Sequence, residues 1–282
     1  MAGQKTAWIV YCSPSGATRH VAGVIRDTFR ELGGECVEKD LGKRNGWDAP
    51  GPDLLRTAPP ACLFIGSPVY VSHPVPPVMA FISGLPEGTG VPAVPFVTWG
   101  GACSGVALHD MGTALHEKGM TVVGAAKILA LHSMMWRSPD PVGKGHPDAG
   151  DDRIIREMVR GVYEKLNTGA PAGIPLPDLA YYPENVRREM GKITLKEAKP
   201  HLPSREVDPD LCTQCGICSE VCPVGAITFS PYPEFDESCI YCFNCVRECP
   251  EDAIRTDLSG AETRIRQRAE QFSERPLSRI FL

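Results

Sequence analysis

Cys212-Thr213-Gln214-Cys215-Gly216-Ile217-Cys218-Ser219-Glu220-Val221-Cys222-Pro223 is followed by a second copy of its own pattern, Cys239-Ile240-Tyr241-Cys242-Phe243-Asn244-Cys245-Val246-Arg247-Glu248-Cys249-Pro250. Both read C-x-x-C-x-x-C-x-x-x-C-P. Three closely spaced thiolates can wrap one face of a cubane iron–sulfur cluster, and the lagging Cys before Pro sits on the next helical turn and reaches the other cluster. The spacing predicts one 4Fe-4S cluster on Cys212, Cys215, Cys218 and Cys249. It predicts a second on Cys239, Cys242, Cys245 and Cys222. Zinc favours isolated C-x-x-C pairs closed into one tetrahedral site. Disulfides need an oxidising compartment, which nothing in the sequence suggests.

The flanks repeat as well. Asp208-Pro209 and Phe235-Asp236 precede the two runs, and Gly225-Ala226-Ile227 and Asp252-Ala253-Ile254 follow them. Residues 206–257 thus resemble a two-cluster bacterial ferredoxin, with every ligand position matched.

The other residues set the context. A chain of 282 residues accommodates one α/β domain beside a small module. A net charge of −5 argues against a general nucleic-acid partner. No apolar run approaches a membrane span. Met1-Ala2-Gly3-Gln4-Lys5 leads into no secretory apolar segment, so a cytoplasmic protein is expected. Clusters of this kind are commonly oxygen-sensitive, which points to an anaerobic or low-oxygen setting.

Thr6–Cys12 is a continuous apolar run that reads as a central parallel strand. Ser13-Pro14-Ser15-Gly16-Ala17-Thr18 follows, then a helix from about Thr18 to Leu32 with Val21, Val24, Ile25 and Phe29 on one stripe. A hydroxyl-rich turn at a helix N-terminus is an anion site: backbone N–H groups and the helix dipole face a phosphate, and Ser or Thr hydroxyls add donors. The turn has no Lys for a triphosphate and no G-x-G-x-x-G for a dinucleotide. It suits a single terminal phosphate, with an ordinary N-cap turn as the alternative. It resembles the phosphate loop of flavodoxins.

Glu35–Leu41 alternates as an edge strand, and a short helix is expected near Asp53–Leu55. Ala61–Gly66 is another buried strand running into a loop of Ser67-Pro68-Val69-Tyr70, similar to the second flavin loop of flavodoxin-like proteins. In the order 2-1-3-4-5 those two loops are neighbours at the switch point, where flavin mononucleotide (FMN) binds. Tyr70 is the candidate to stack on the isoalloxazine; His73, close by, reads as a surface residue. Val75–Leu85 reads as a helix and Val91–Trp99 as the fourth strand, ending at Thr98-Trp99-Gly100-Gly101, the third loop expected around a flavin. Trp99 is a second stacking candidate or a buried strand-end residue. The fourth helix spans Val106–Lys118, the last strand Thr121–Leu131, and a closing helix Asp151–Leu166 is capped by Asp151 or Asp152. Cys12, Cys36 and Cys62 read as small core hydrophobes, and Cys103 as an ordinary thiol with no flanking base.

The expected fold class is α/β: a flavodoxin-like, doubly wound, five-stranded parallel sheet with a small α+β two-cluster ferredoxin-like domain. The expected division is an FMN-binding domain over 1–168, a Pro-rich strap over 169–205, the ferredoxin-like domain over 206–257, and a C-terminal helix with a docking tail over 258–282. This arrangement resembles the flavodoxin–ferredoxin fusion family of anaerobic bacteria and archaea, the EFR-type ferredoxins. The resemblance implies two 4Fe-4S clusters and FMN, bound by Ser13, Ser15, Gly16, Ala17, Thr18, Ser67, Pro68, Val69, Tyr70, Thr98, Trp99, Gly100 and Gly101. It implies electron transfer to or from a redox partner protein, a ferredoxin or an oxidoreductase. An FMN-dependent reductase of a small substrate, with Cys103, His132 and Trp136 near its floor, stays open, as does a homodimer.

Overall fold

The computed structural model describes residues 5–43, 61–168 and 170–282. The helix expected near Asp53–Leu55 lies outside them. In chain order the first half contains β1 (Thr6–Tyr11), α1 (Ala17–Glu31), β2 (Glu35–Asp40), β3 (Ala61–Tyr70), β4 (His73–Pro74), α2 (Pro76–Gly84), β5 (Pro92–Trp99), α3 (Ala107–Glu117), β6 (Thr121–Val122), β7 (Ala125–Leu129) and α4 (Ala149–Lys165). The second half contains α5 (Glu184–Lys192), α6 (Leu195–Ala198), β8 (Glu206–Val207), α7 (Ile217–Glu220), β9 (Ile227–Phe229), β10 (Pro233–Phe235), α8 (Asn244–Arg247), β11 (Ile254–Arg255), α9 (Ser259–Phe272) and β12 (Arg279–Phe281).

The main sheet runs β12-β7-β5-β3-β1-β2, parallel throughout except β12. Without β12 this is the flavodoxin-like order 2-1-3-4-5. Alternate residues of a strand face opposite sides, and β1 uses both sides. Ala7, Ile9 and Tyr11 pack with Val21, Ile25 and Phe29 of α1 and Met158 and Val162 of α4. Val10 and Cys12 pack with Val78 and Ile82 of α2 and Leu108, Met111 and Leu115 of α3. An apolar run reads as continuous for this reason: neither face meets water. Cys12 and Cys62 are buried in this core and Cys36 is half-buried.

Four expectations are corrected. Ser67–Tyr70 is the end of β3 rather than a loop: Ser67 and Pro68 pair with Val97 and Thr98, and Val69 and Tyr70 turn back on β4. The turn residues Val71 and Ser72 take φ of 50° and 70°, a left-handed conformation that is strained for a β-branched residue. The last strand is broken into β6 and β7 at Val123-Gly124, where a side chain on Gly124 would press on Val162. The closing helix begins earlier: Asp148 is its N-cap, and Asp151 answers from the first turn in a capping box. The docking tail is a sixth strand, β12, antiparallel along β7.

The segment carrying the Cys runs has two small antiparallel pairs, β8 with β11 and β9 with β10, and two four-residue helices, α7 and α8. Its residues Ile240 and Cys242 belong to the same apolar core as β1 and β3. Among the described residues, no helix is long and apolar enough to cross a membrane.

Candidate functional site

The two Cys runs are wound alike. Left-handed backbone occurs at Gln214, Gly216 and Gly225 in the first half and at the matching Tyr241, Phe243 and Asp252 in the second. Four of these six are not glycine. Such conformations persist only where the surroundings over-determine them, and they cluster at functional sites. Their effect is to turn successive backbone N–H groups inward. Ala226 N–H donates to Cys222 Sγ at 3.3 Å, and Tyr241 N–H donates to Cys239 Sγ at 3.3 Å.

Most of the thiols of the two runs converge. Cys242 lies within electrostatic reach of Cys245, Cys239 and Cys222. Cys218 lies within reach of Cys245, Cys215 and Cys249. Burial pushes the Cys242 thiol up to about 12 and Cys218 up to about 11, while backbone N–H groups of Asn244 and Ser219 pull the other way. A bound metal deprotonates such thiols outright, so the donor set fits an iron–sulfur cluster. The predicted sets differ in exposure. Cys222, Cys239, Cys242 and Cys245 are all buried, whereas in the other predicted set Cys218 is buried, Cys215 is exposed and Cys212 and Cys249 are half-buried.

At the C-terminal ends of β1, β3 and β5 lies a cavity of ≈ 970 Å³. Eight of the sequence candidates line it: Ser15, Ala17, Pro68, Val69, Tyr70, Thr98, Trp99 and Gly100. Ser13, Gly16, Thr18, Ser67 and Gly101 stand behind that lining and shape it. Gly16, at φ 91°, lets β1 turn into α1 and leaves the helix start without a side-chain cap. Ser13 Oγ accepts from Arg19 N–H at 2.9 Å, and Thr18 Oγ1 bonds Thr98 Oγ1 at 2.8 Å, tying the first loop to the third. Ser15 is exposed toward the opening. Ser67 Oγ accepts from Val75 N–H at 2.9 Å and holds the β3–β4 hairpin shut. A side chain on Gly100 would strike His132, and one on Gly105 would strike the Ser72 carbonyl.

These features fit a flavin with a terminal phosphate: a helix start whose N-cap is a glycine, a free hydroxyl, and a third loop of glycines. Tyr70 fits as well. Its hydroxyl is buried with no hydrogen-bond partner among the described residues. Burial, with Cys242 and Cys12 nearby, raises its pKa well above the ordinary value. Trp99 is committed elsewhere: it is 1% exposed, and its indole N–H donates to the Leu277 carbonyl at 2.9 Å. It matches the buried strand-end alternative and offers no free ring face. His73 is half-buried rather than on the surface. Asp110, bonded to Nδ1 at 2.8 Å, raises its pKa, and Nε2 meets the Met190 carbonyl.

Several lining residues carried no signal in the sequence. Ile240 and Tyr241, from inside the second Cys run, line the same cavity as the flavin loops. So do Tyr182 before α5, Val186 within it, and Ile265, Arg268 and Phe272 of α9. Of the residues expected near a substrate floor, Cys103 and His132 line it and Trp136 does not; His132 is kept neutral by burial, which lowers its pKa to about 4. Beneath the cavity, Lys127 is paired with Glu274, which also accepts from Ser104 and Tyr182. Cys103 lies 3.5 Å from the Tyr182 hydroxyl.

Residues 205–228 match the 4Fe-4S binding domain family, a match that covers the first Cys run. NADH-quinone oxidoreductase subunit I of Pelobacter propionicus is 32% identical over 92 residues, 27% of this chain and 48% of that protein. Polyferredoxin protein MvhB of Methanothermus fervidus is 34% identical over 73 residues, 24% of this chain and 16% of that protein. The chain therefore spans less than half the length of either relative. Among solved structures, a flavodoxin from the domain Archaea aligns at TM-score 0.43 and 20% identity, covering 57% of this chain and 99% of that one. The flavodoxin of Streptococcus pneumonia TIGR4 aligns at TM-score 0.45 and 15% identity, with coverage of 57% and 99%. Its own strand order and its matched Cys run make this polypeptide a fusion of a flavodoxin-like sheet with a 4Fe-4S ferredoxin-like module.

Proposed function

We propose that the chain holds two 4Fe-4S clusters and one FMN and passes electrons between them, linking a low-potential one-electron donor to a redox partner. When bound, such clusters exchange single electrons, while a flavin accepts one or two. Cys239, Cys242, Cys245 and Cys222 would hold the inner cluster. Cys212, Cys215, Cys218 and Cys249 would hold the outer one. Ser15 and the start of α1 would take the flavin phosphate, and the glycines after β5 would let the ring approach the backbone.

One observation carries this reading: the Ile240-Tyr241 segment between two inner-set cysteines lines the cavity bounded by the flavin loops. Tyr70 adds to it, since its ring lines that cavity while its hydroxyl end lies beside Cys242. The exposed Cys215, near the exposed Leu211, supports an outer set that faces a partner ferredoxin or oxidoreductase.

A second reading, an FMN-dependent reductase of a small substrate, draws on one feature. The cavity continues past the flavin loops to Tyr182, Val186 and Phe272, more enclosure than an exposed flavin edge needs.

Anaerobic reconstitution of the full chain with iron, sulfide and FMN tests the first reading. About eight irons and one flavin per chain are expected from two cubane motifs and one phosphate loop. Iron for a single cluster, or a sheet that retains no flavin, would contradict it. Reoxidation of the reduced protein by organic acceptors but not by ferredoxins would favour the second reading.

A further inference from the structure

We infer that Arg205 sets the reduction potential of the inner cluster. The inference rests on the two-cluster reading above. Arg205 lies just outside the Cys runs, at the end of the Pro-rich strap, and nothing in the motif's spacing draws attention to it. Its Nη1 donates to Cys239 Sγ at 3.0 Å, and Cys245 lies within electrostatic reach of its guanidinium. Among the described residues, it is the one cation that donates to a cysteine of either run.

The surroundings keep this charge free for the sulfurs. The guanidinium stacks 4.2 Å from the centre of the Phe235 ring and 4.7 Å from that of Tyr241, with Phe243 at 5.8 Å. Its Nε is buried without a hydrogen-bond partner. No carboxylate among the described residues comes within ion-pairing distance of it. A half-buried cation without a carboxylate is costly unless another anion balances it. Here that anion is the thiolate set. Aromatic faces tolerate the charge and exclude water, which lowers the local dielectric and strengthens its interaction with the sulfurs.

The chemistry follows from charge. A cluster held by four thiolates is anionic, and taking one electron from the low-potential donor adds a further negative charge with no bond made or broken. Burial alone disfavours that added charge. A fixed positive charge hydrogen-bonded to one ligand sulfur and close to a second favours it, and net charge and hydrogen bonds to sulfur are established determinants of cluster potential. Arg stays protonated throughout the usable pH range, so the bias needs no proton uptake. The outer set has no such donor among the described residues. Arg205 therefore offsets the cost of burying the inner cluster against the sheet and keeps it reducible by way of the outer one.

The test compares Arg205→Gln and Arg205→Lys with the wild-type full chain after anaerobic reconstitution. Iron is counted, and each cluster midpoint is followed by electron paramagnetic resonance during a redox titration. Arg205→Gln is expected to keep full iron. It should lower one midpoint by at least tenfold in the one-electron equilibrium, about 59 mV, with the other midpoint unmoved as the internal reference. Arg205→Lys, which keeps the charge, should retain most of the wild-type value. Unchanged midpoints in a fully loaded Gln variant would overturn the inference. So would equal shifts of both clusters, or loss of iron in both variants, because the residue would then be supporting the fold. A wild-type chain with iron for only one cluster would instead refute the two-cluster reading.

Discussion

At the scale of single residues, the flavin loops divide their labour between groups that hold the backbone and groups left free. Thr18 and Thr98 share a hydrogen bond, Ser13 is spent on the Arg19 N–H, and Ser67 is spent on the Val75 N–H. Ser15, exposed at the cavity, is the hydroxyl available to an incoming phosphate. Ser15→Ala should therefore weaken flavin retention about tenfold or more while leaving iron content and thermal stability unchanged, since a net hydrogen bond to a charged group contributes about 1.5–3 kcal/mol. Flavin titration by fluorescence quenching, with an iron assay on the same sample, checks both halves. Thr18→Ala should instead lower stability as well, because it breaks the tie between the first and third loops. The types of these residues were readable from the chain. Which hydroxyl stays free was not, because that depends on Thr98, far along the sequence.

At the scale of elements, the parallel strands and their helices were legible because they are continuous apolar runs and 3.6-period stripes bounded by Gly and Pro. The departures all involve a distant partner. The β3–β4 hairpin needs Val71 and Ser72 in left-handed conformations, held by Val106 N–H bonding the Ser72 carbonyl and by Gly105 leaving it room. Strand β12 is three residues long and too short to show a period; it is defined by pairing with Ala125–Lys127. The approach to β12 is locked by the buried pair of Lys127 and Glu274, with side chains 2% and 6% exposed. Burial lowers the Lys127 pKa, and Glu274 opposes that. Glu274→Leu strands a buried ammonium and should cost about 3–5 kcal/mol. Adding Lys127→Met should restore part of the loss, as a buried pair replaced by apolar residues is often neutral, while Ser104 and Tyr182 still lack their acceptor. Urea unfolding of the two variants beside the wild type measures this. A single-variant loss within about 0.5 kcal/mol, the range of an ordinary surface change, would contradict the lock.

At the scale of the whole molecule, the ferredoxin-like segment is held to the sheet on several sides. Ile240 and Cys242 join the sheet's core. Arg247 donates to the Ser133 carbonyl at 2.8 Å and stacks 4.8 Å from the centre of the Trp136 ring, and Arg137 pairs with Asp252. After the second Cys run, α9 walls the cavity and β12 returns to the sheet edge. Such anchoring replaces diffusional encounter between separate carriers with a contact built into one chain. The motifs pointed to both proposed cofactors; the adjacency of the residues that would hold them came only from the folded chain, because Ile240 and Tyr70 lie far apart in sequence. Stopped-flow mixing of the reconstituted protein with a one-electron donor, followed at flavin wavelengths over a range of protein concentrations, tests this adjacency most directly. The account predicts that flavin reduction following cluster reduction is first-order, with a rate independent of protein concentration. A rate that rises in proportion to protein concentration would show that electrons reach the flavin only between molecules, and would contradict it.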